Sequence, residues 1–180
     1  MPVSPAPSIA WRDGAFTTTG LPAIASDGGL VVAPRIDSDG GRGFANLQIE
    51  LRDRRDKLVM TMPVMTANEL EALVPDARTA SPELDSRIAA TNRRLADVHK
   101  DYDLVPMQAI EPSELSIDFA ARGWLAPQGP RCAQCPPCEN PPYLDAVYKA
   151  DGIDVRLVRV AYRGTDLCWE PSPQLHVIAR

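Results

Sequence analysis

Histidine is scarce in this chain, with two in 180 residues, and the motifs that put histidine to catalytic use are missing. His99 and His176 have no sequence neighbour set out for a Ser–His–Asp or Cys–His pair, although the partners of such a pair are often distant in sequence. No G-x-S-x-G elbow, H-E-x-x-H zinc motif or Walker loop occurs. The sequence therefore names no catalytic residue and no cofactor, and it favours a protein that is not an enzyme. No apolar run approaches the roughly 18–20 residues of a membrane span, and no secretion signal is visible. Basic residues are outnumbered, 19 Lys and Arg against 24 Asp and Glu, for a net charge of −5. That balance disfavours nucleic acid and anionic membrane surfaces as partners.

Proline is plentiful, at 18 residues, about twice its usual share. Such a chain favours edges, loops and short strands over long helices. The length suits one domain with a substantial core. Residues 1–8, with Pro2, Pro5 and Pro7, read as a flexible tether. It is of the kind left after an export signal is removed, or found in a lipoprotein linker, with an ordinary cytosolic N-terminus as the alternative. Residues 9–180 then form a single β-rich domain, with a helical insert at about 67–100 and a cysteine-rich loop at 131–142.

All four cysteines lie between Cys132 and Cys168. Residues 143–149 and 153–162 are rich in β-branched and aromatic side chains, and Asp151-Gly152 between them is a strong hairpin signal. A two-residue turn there sets Ala150 opposite Ile153, and the same register sets Cys138 opposite Thr165, three residues short of Cys168. A bulge covers that offset, so a Cys138–Cys168 disulfide is expected, worth roughly 3–4 kcal/mol by chain entropy. Cys132 and Cys135 then form a tight second bridge or remain thiols. The rival is a zinc site of Cys132, Cys135, Cys138 and Cys168, although structural zinc sites usually carry two separated C-x-x-C knuckles. A ferredoxin-type cluster motif fails because Pro142 stands where its fourth cysteine belongs.

Along the chain, 9–19 reads as a small hairpin or edge strand, 21–25 as a short apolar piece, and 30–33 as a strand that Pro34 ends. Asn46 to Leu51 alternates strictly, with Leu47, Ile49 and Leu51 on one face, which is the mark of a half-buried strand. Arg52 to Lys57 reads as a solvated hairpin tip and 58–63 as the return strand of a three-stranded meander. The run Ser26 to Val32, with its Ser-Asp-Gly-Gly turn, then Asn46 to Glu50 and Asp56 to Val59, resembles one blade of Tol-type or tryptophan–aspartate-repeat β-propellers. The resemblance covers about 35 residues, and one copy makes no closed propeller. The whole chain is similar to uncharacterised exported bacterial proteins with a single blade-like meander. That likeness implies an envelope location and no particular activity.

Thr66 and Glu69 predict a capping box ahead of a short helix, and Ser81-Pro82 starts a second one. Leu84, Ile88, Thr91, Leu95, Val98 and Tyr102 step by alternate fours and threes, an apolar stripe on a helix over about 82–100. Its basic residues, including Arg87, Arg93 and Arg94, either face solvent or touch a partner. Strands are expected at 104–110, 115–120 and 174–178. The fold class is α+β: mainly an antiparallel sheet, or a sandwich of two β-meanders, covered by one long helix and a short one.

Asp37 and Asp39 before Gly40 resemble the start of a calcium loop, with Asp27 as a further ligand. Gly41 and Gln48 stand where an EF-type loop needs acids, so an ordinary turn is favoured. Two functional readings result. One is a non-enzymatic exported domain, periplasmic or extracellular, stapled by disulfides and binding a protein or glycan, with a lipid anchor on the precursor as an option. The other is a cytosolic zinc protein or redox enzyme built on the cysteine cluster.

Overall fold

The computed structural model describes residues 5–38, 45–74, 81–125, 141–163 and 172–179. β1 (Ser8–Arg12) and β2 (Ala15–Thr19) form a hairpin on Asp13-Gly14. Both turn residues have positive φ, 52° and 82°, as a primed two-residue turn demands. Ser8, assigned to the tether from sequence, is thus the first residue of a paired strand.

β3 (Ala23–Ala25), β4 (Leu30–Ser38), β5 (Ala45–Asp53) and β6 (Leu58–Met65) then run up and down in order. Helices α1 (Ala67–Leu73) and α2 (Pro82–Tyr102) follow, and β7 (Leu104–Pro106) returns beside β3. The five-stranded sheet therefore has the order β6-β5-β4-β3-β7. A four-stranded sheet, β11-β10-β9-β8, is built from β8 (Gln108–Ile110), β9 (Pro142–Ala150), β10 (Ile153–Tyr162) and β11 (Gln174–Ala179). All pairs are antiparallel. The chain is α+β, its described residues forming a two-, a four- and a five-stranded antiparallel sheet with a long helix and a short one.

The period-two alternation of the strands divides the core into layers. Ala23, Ala25, Leu30, Val32, Leu47, Ile49, Leu51 and Val64 face the helices, packing with Leu70, Leu84, Ile88 and Leu95. The opposite side chains, Ile24, Val31 and Ala33, meet Val155, Leu157, Leu175 and Val177 of the second sheet. That sheet's outer face, with Val147, Val158, Val160 and Ile178, is covered by Trp124 and the half-buried Leu115, Ile117 and Phe119. Gly28 marks where the corners of the two sheets touch. Its φ is +73°, and a Cβ there would lie 3.2 Å from Ile153 Cγ2.

α2 forms where its signals placed it. Ser81 caps it by accepting the Leu84 N–H at 3.2 Å, and Leu84, Ile88, Thr91 and Leu95 are buried, while Val98 is half-buried and Tyr102 exposed. Asn92 grips β1 like a neighbouring strand, accepting the Ile9 N–H at 2.8 Å and donating to the Ile9 carbonyl at 3.0 Å.

Four sequence expectations need correction. Pro34 does not end β4, which continues to Ser38. Beyond Val32, β4 has left β3 and pairs with β5 alone, and an edge tolerates proline's missing N–H. The stretch 104–110 is two strands in two sheets, broken at Met107, whose N–H goes to the Pro22 carbonyl at 2.9 Å. Residues 115–120 are not a strand. Leu115, Ile117 and Phe119 do turn inward, but they follow a 3-10 turn, Pro112–Glu114, and have no ladder partner. In the β9–β10 hairpin Ala150 pairs with Ile153 as the turn dictates, but two bulges shift the register, so that Tyr162 meets Pro142.

Candidate functional site

The alternation that buries Leu47, Ile49 and Leu51 puts Asn46, Gln48, Glu50 and Arg52 on the other face of β5. That face was expected to be solvated. It instead carries the chief polar cluster of the described residues, and Glu50 at its centre is only 2% exposed. Charge buried this deeply has to be paired. Glu50 Oε2 takes Arg52 Nε at 2.9 Å, and Oε1 takes Arg35 Nη1 at 3.3 Å and Gln48 Nε2 at 3.2 Å. Arg35 Nε reaches Asp37 Oδ2 at 3.0 Å, one strand position pair further along β4. The Glu50 carboxylate thus orients all three planar side chains around it.

Arg52 carries the network to the second sheet. Its Nη1 lies 3.2 Å from both the carbonyl and Oδ1 of Asp56. Asp56 sits in the β5–β6 turn at a φ of 64°, and that conformation aims its carboxylate across the edge of β11. Oδ1 accepts the Val177 N–H at 2.7 Å, and Oδ2 lies 2.7 Å from His176 Nδ1. The expectation that 52–57 is a solvated tip is therefore half overturned: Arg54, Arg55 and Lys57 are exposed, whereas Arg52 and Asp56 are built into the fold.

His176 is buried and stacks on Trp124, centroids 4.0 Å apart and planes 14° apart. A carboxylate only accepts, so His176 Nδ1–H donates to Asp56 Oδ2. Its Nε2 is buried and bonded to no described residue, so no described hydroxyl or thiol completes a triad. The pair latches the two sheets together.

Arg35 and Asp37 also stand where two concavities meet. The smaller, about 90 Å³, opens between the sheets against Tyr148, Leu157 and Arg159. The larger is an open cleft of about 520 Å³, in which Asn46, Gln48, Thr66, Glu69 and Arg87 surround Pro63, Val64 and Met65. Its far rim is fixed by the start of α1. The Thr66–Glu69 capping box forms as its sequence signature implies, and Asn46 Oδ1 accepts the Ala67 N–H at 2.8 Å. Arg87 bridges Glu69 at 2.8 Å and Glu83 at 2.9 Å. Bonds from Arg87 and Thr66 hold the Glu69 carboxyl down at about 2. Asp37 goes the other way: burial lifts its carboxyl above the ordinary value, against the downward pull of Arg35.

The residues singled out by sequence fall unevenly on this frame. Asp37 is in β4 opposite Asn46, not in a loop, and Asp39 lies outside the described residues. Asp27 is used locally, its Oδ1 accepting the Gly29 N–H at 2.7 Å. Among the described residues no group of three or more His, Cys, Asp or Glu could hold a metal ion. Cys132, Cys135, Cys138 and Cys168, with their disulfide and zinc readings, lie outside the described residues. His99 is in the last turn of α2. The sequence reading missed Arg35, Glu50, Arg52 and Asp56 as a set. The available signal was the alternation in β5, which puts two charges and a glutamine on one face of a strand buried on the other. No described helix is long and apolar enough to cross a membrane. Comparison with protein-family models, with curated proteins and with solved structures found no match.

Proposed function

We propose that this is a non-enzymatic binding domain of the exported space, stapled by disulfides, and that its ligand site is the cleft bordered by Arg35, Asp37, Gln48 and Arg87. The observation that carries the reading is the lining of that cleft. Planar donors and acceptors of both signs surround a small apolar floor, and each polar group is already tethered to a neighbour. Fixed, planar, bidentate groups suit vicinal hydroxyls, so a glycan is the ligand class preferred over a protein. Preorganisation lowers the ordering cost of binding.

Export is supported by the cysteines. Among the described residues the outermost backbone bond at the mouth of the β9–β10 hairpin joins Arg163 N–H to the Pro141 carbonyl at 3.1 Å. In sequence, Cys138 lies three residues before Pro141 and Cys168 five after Arg163, spans that a few extended residues cover. A Cys138–Cys168 bridge there stabilises by about 2–5 kcal/mol.

Saturation-transfer NMR against neutral, amino and acidic oligosaccharides tests the ligand. At least one should bind and be lost in Gln48→Ala; no binding up to about 10 mM, roughly 3 kcal/mol of affinity, overturns the glycan assignment. Thiol counting with metal analysis and non-reducing peptide mapping tests the compartment. No free thiols, no metal and a 138–168 linkage are expected. Four thiols holding one zinc would replace export with the cytosolic zinc reading.

A further inference from the structure

Every open sheet ends in edges, and an edge strand offers unpaired N–H and C=O groups to any strand that approaches. The two larger sheets have four such edges. β7 and β8 have three residues each, too few to template a long pairing. β11 is six residues long and has its edge blocked at Val177, whose N–H goes to Asp56 at 2.7 Å. Among the described residues β6 is the long edge left open: of its eight residues six are partnered, all by β5.

The opening run of β6, Leu58 to Met62, has neither charge nor proline, two of the usual guards of an exposed edge, and its one irregularity is a register shift that leaves Val59 without a β5 partner. It also carries half of the exposed large apolar side chains among the described residues. Leu58 is 45% exposed, Val59 56% and Met60 51%, three in a row.

We infer that this edge is an interface and that its occupant is β6 of a second copy, paired antiparallel about a two-fold axis through Met60. The two five-stranded sheets then become one continuous sheet. Two-fold pairing presents one patch to itself, so the Leu58–Met62 run meets its own apolar mirror and Pro63 stays outside it. Charge selects the same arrangement. The exposed Arg54, Arg55 and Lys57 precede the run, and the acidic Glu69 and Glu71 of α1 follow it. Antiparallel pairing carries the basic turn of one copy toward the α1 end of the other, where Glu71 is exposed and Glu69 is bonded to Arg87; parallel pairing would bring the two basic turns together. A second copy supplies the apolar run and both charged ends in the right order. The contact is short, in the weak and reversible class below about 1,200 Å².

Sedimentation velocity of the full chain across about three decades of concentration tests this. The expected result is a reversible monomer–dimer equilibrium, unchanged by reductant. Val59→Lys and, separately, Met60→Lys should each leave a monomer throughout. Both side chains are exposed, so circular dichroism and Tm should match wild type. Amides of residues 58–62 should gain hydrogen-exchange protection as wild-type concentration rises. A monomer at every concentration, a dimer that survives both lysines, or one that reductant dissolves overturns the inference.

Discussion

The two faces of β5 are buried by opposite means. Leu47, Ile49 and Leu51 are covered by α1, α2 and β6 in an apolar layer. On the other face Gln48, Glu50 and Arg52 are covered chiefly by one another and by Arg35 and Asp56. The four-stranded sheet packs over β4 through β11, and the ion cluster takes over beside it. The comparison teaches that a polar residue on an alternating strand need not face water. Apolar burial tolerates imperfect matches, whereas a buried carboxylate stands or falls with specific partners.

The largest test of that difference is Glu50→Ala. It would leave the guanidiniums of Arg35 and Arg52 without their shared carboxylate, and a broken buried pair costs about 3–5 kcal/mol. Ile49→Ala, one residue away on the apolar face, should cost about 2–5 kcal/mol through its cavity. Urea titration of both variants measures the contrast. A Glu50→Ala cost under about 1 kcal/mol would mean that water, rather than the cluster, satisfies this face. The two single costs should also differ in kind. Adding Arg35→Met and Arg52→Met to Glu50→Leu should recover only part of the loss: apolar replacement of a whole buried network is often neutral or stabilising, but this triple change leaves the Asp37 and Asp56 carboxylates without their guanidiniums.

Next in size is Leu95→Ala on the helix side. Leu95 is fully buried in the layer that covers β5, and its truncation should lower stability by about 2–5 kcal/mol in thermal or urea unfolding. A change under half a kilocalorie would show the α2 stripe to be dispensable. That stripe was legible in the sequence as far as Val98, though its last expected member, Tyr102, is exposed; the capping box at Thr66, the cap at Ser81 and the turn at Asp151-Gly152 were legible too. Each is a local code, in which neighbours within four residues decide the outcome. The polar site was not legible because it is assembled across distance: Asp56 and His176 are 120 positions apart. The misreadings share that cause. Pro34 was judged without knowing that β4 becomes an edge, and 115–120 without knowing that no strand waits beside it.

A smaller effect belongs to the rim of the cleft. Thr66→Ala removes the side chain that caps α1 and partners Glu69, at a cost of about 0.5–2 kcal/mol. Oligosaccharide binding should weaken along with it, because Thr66 and Glu69 line the cleft. Intact binding with lowered stability would place the ligand toward Arg35 and Gln48 instead.

The smallest effect separates the two carboxylates of that cleft by sign. Glu69 is held at about 2, below an ordinary 4.5. A depressed carboxyl stabilises the folded state above its unfolded value and loses that contribution as pH falls from about 4.5 toward about 2. Glu69 is partly exposed, so salt screens the effect. Asp37 is raised by burial, so the folded state holds its proton more tightly than the unfolded chain does. Its ionisation therefore opposes folding above its folded value, and that penalty fades as pH falls through the folded value to the unfolded one. Asp37→Asn should then be as stable as wild type or more so at pH 7, with the advantage shrinking on acidification. Glu69→Gln should be less stable at pH 7, with the deficit shrinking over the window from about 4.5 to about 2. Chemical denaturation at stepped pH reads both. If Asp37→Asn instead shows a neutral-pH deficit that acid removes, the Arg35 pair outweighs burial, and Asp37 belongs with the stabilising ion pairs rather than with the strained groups of the cleft.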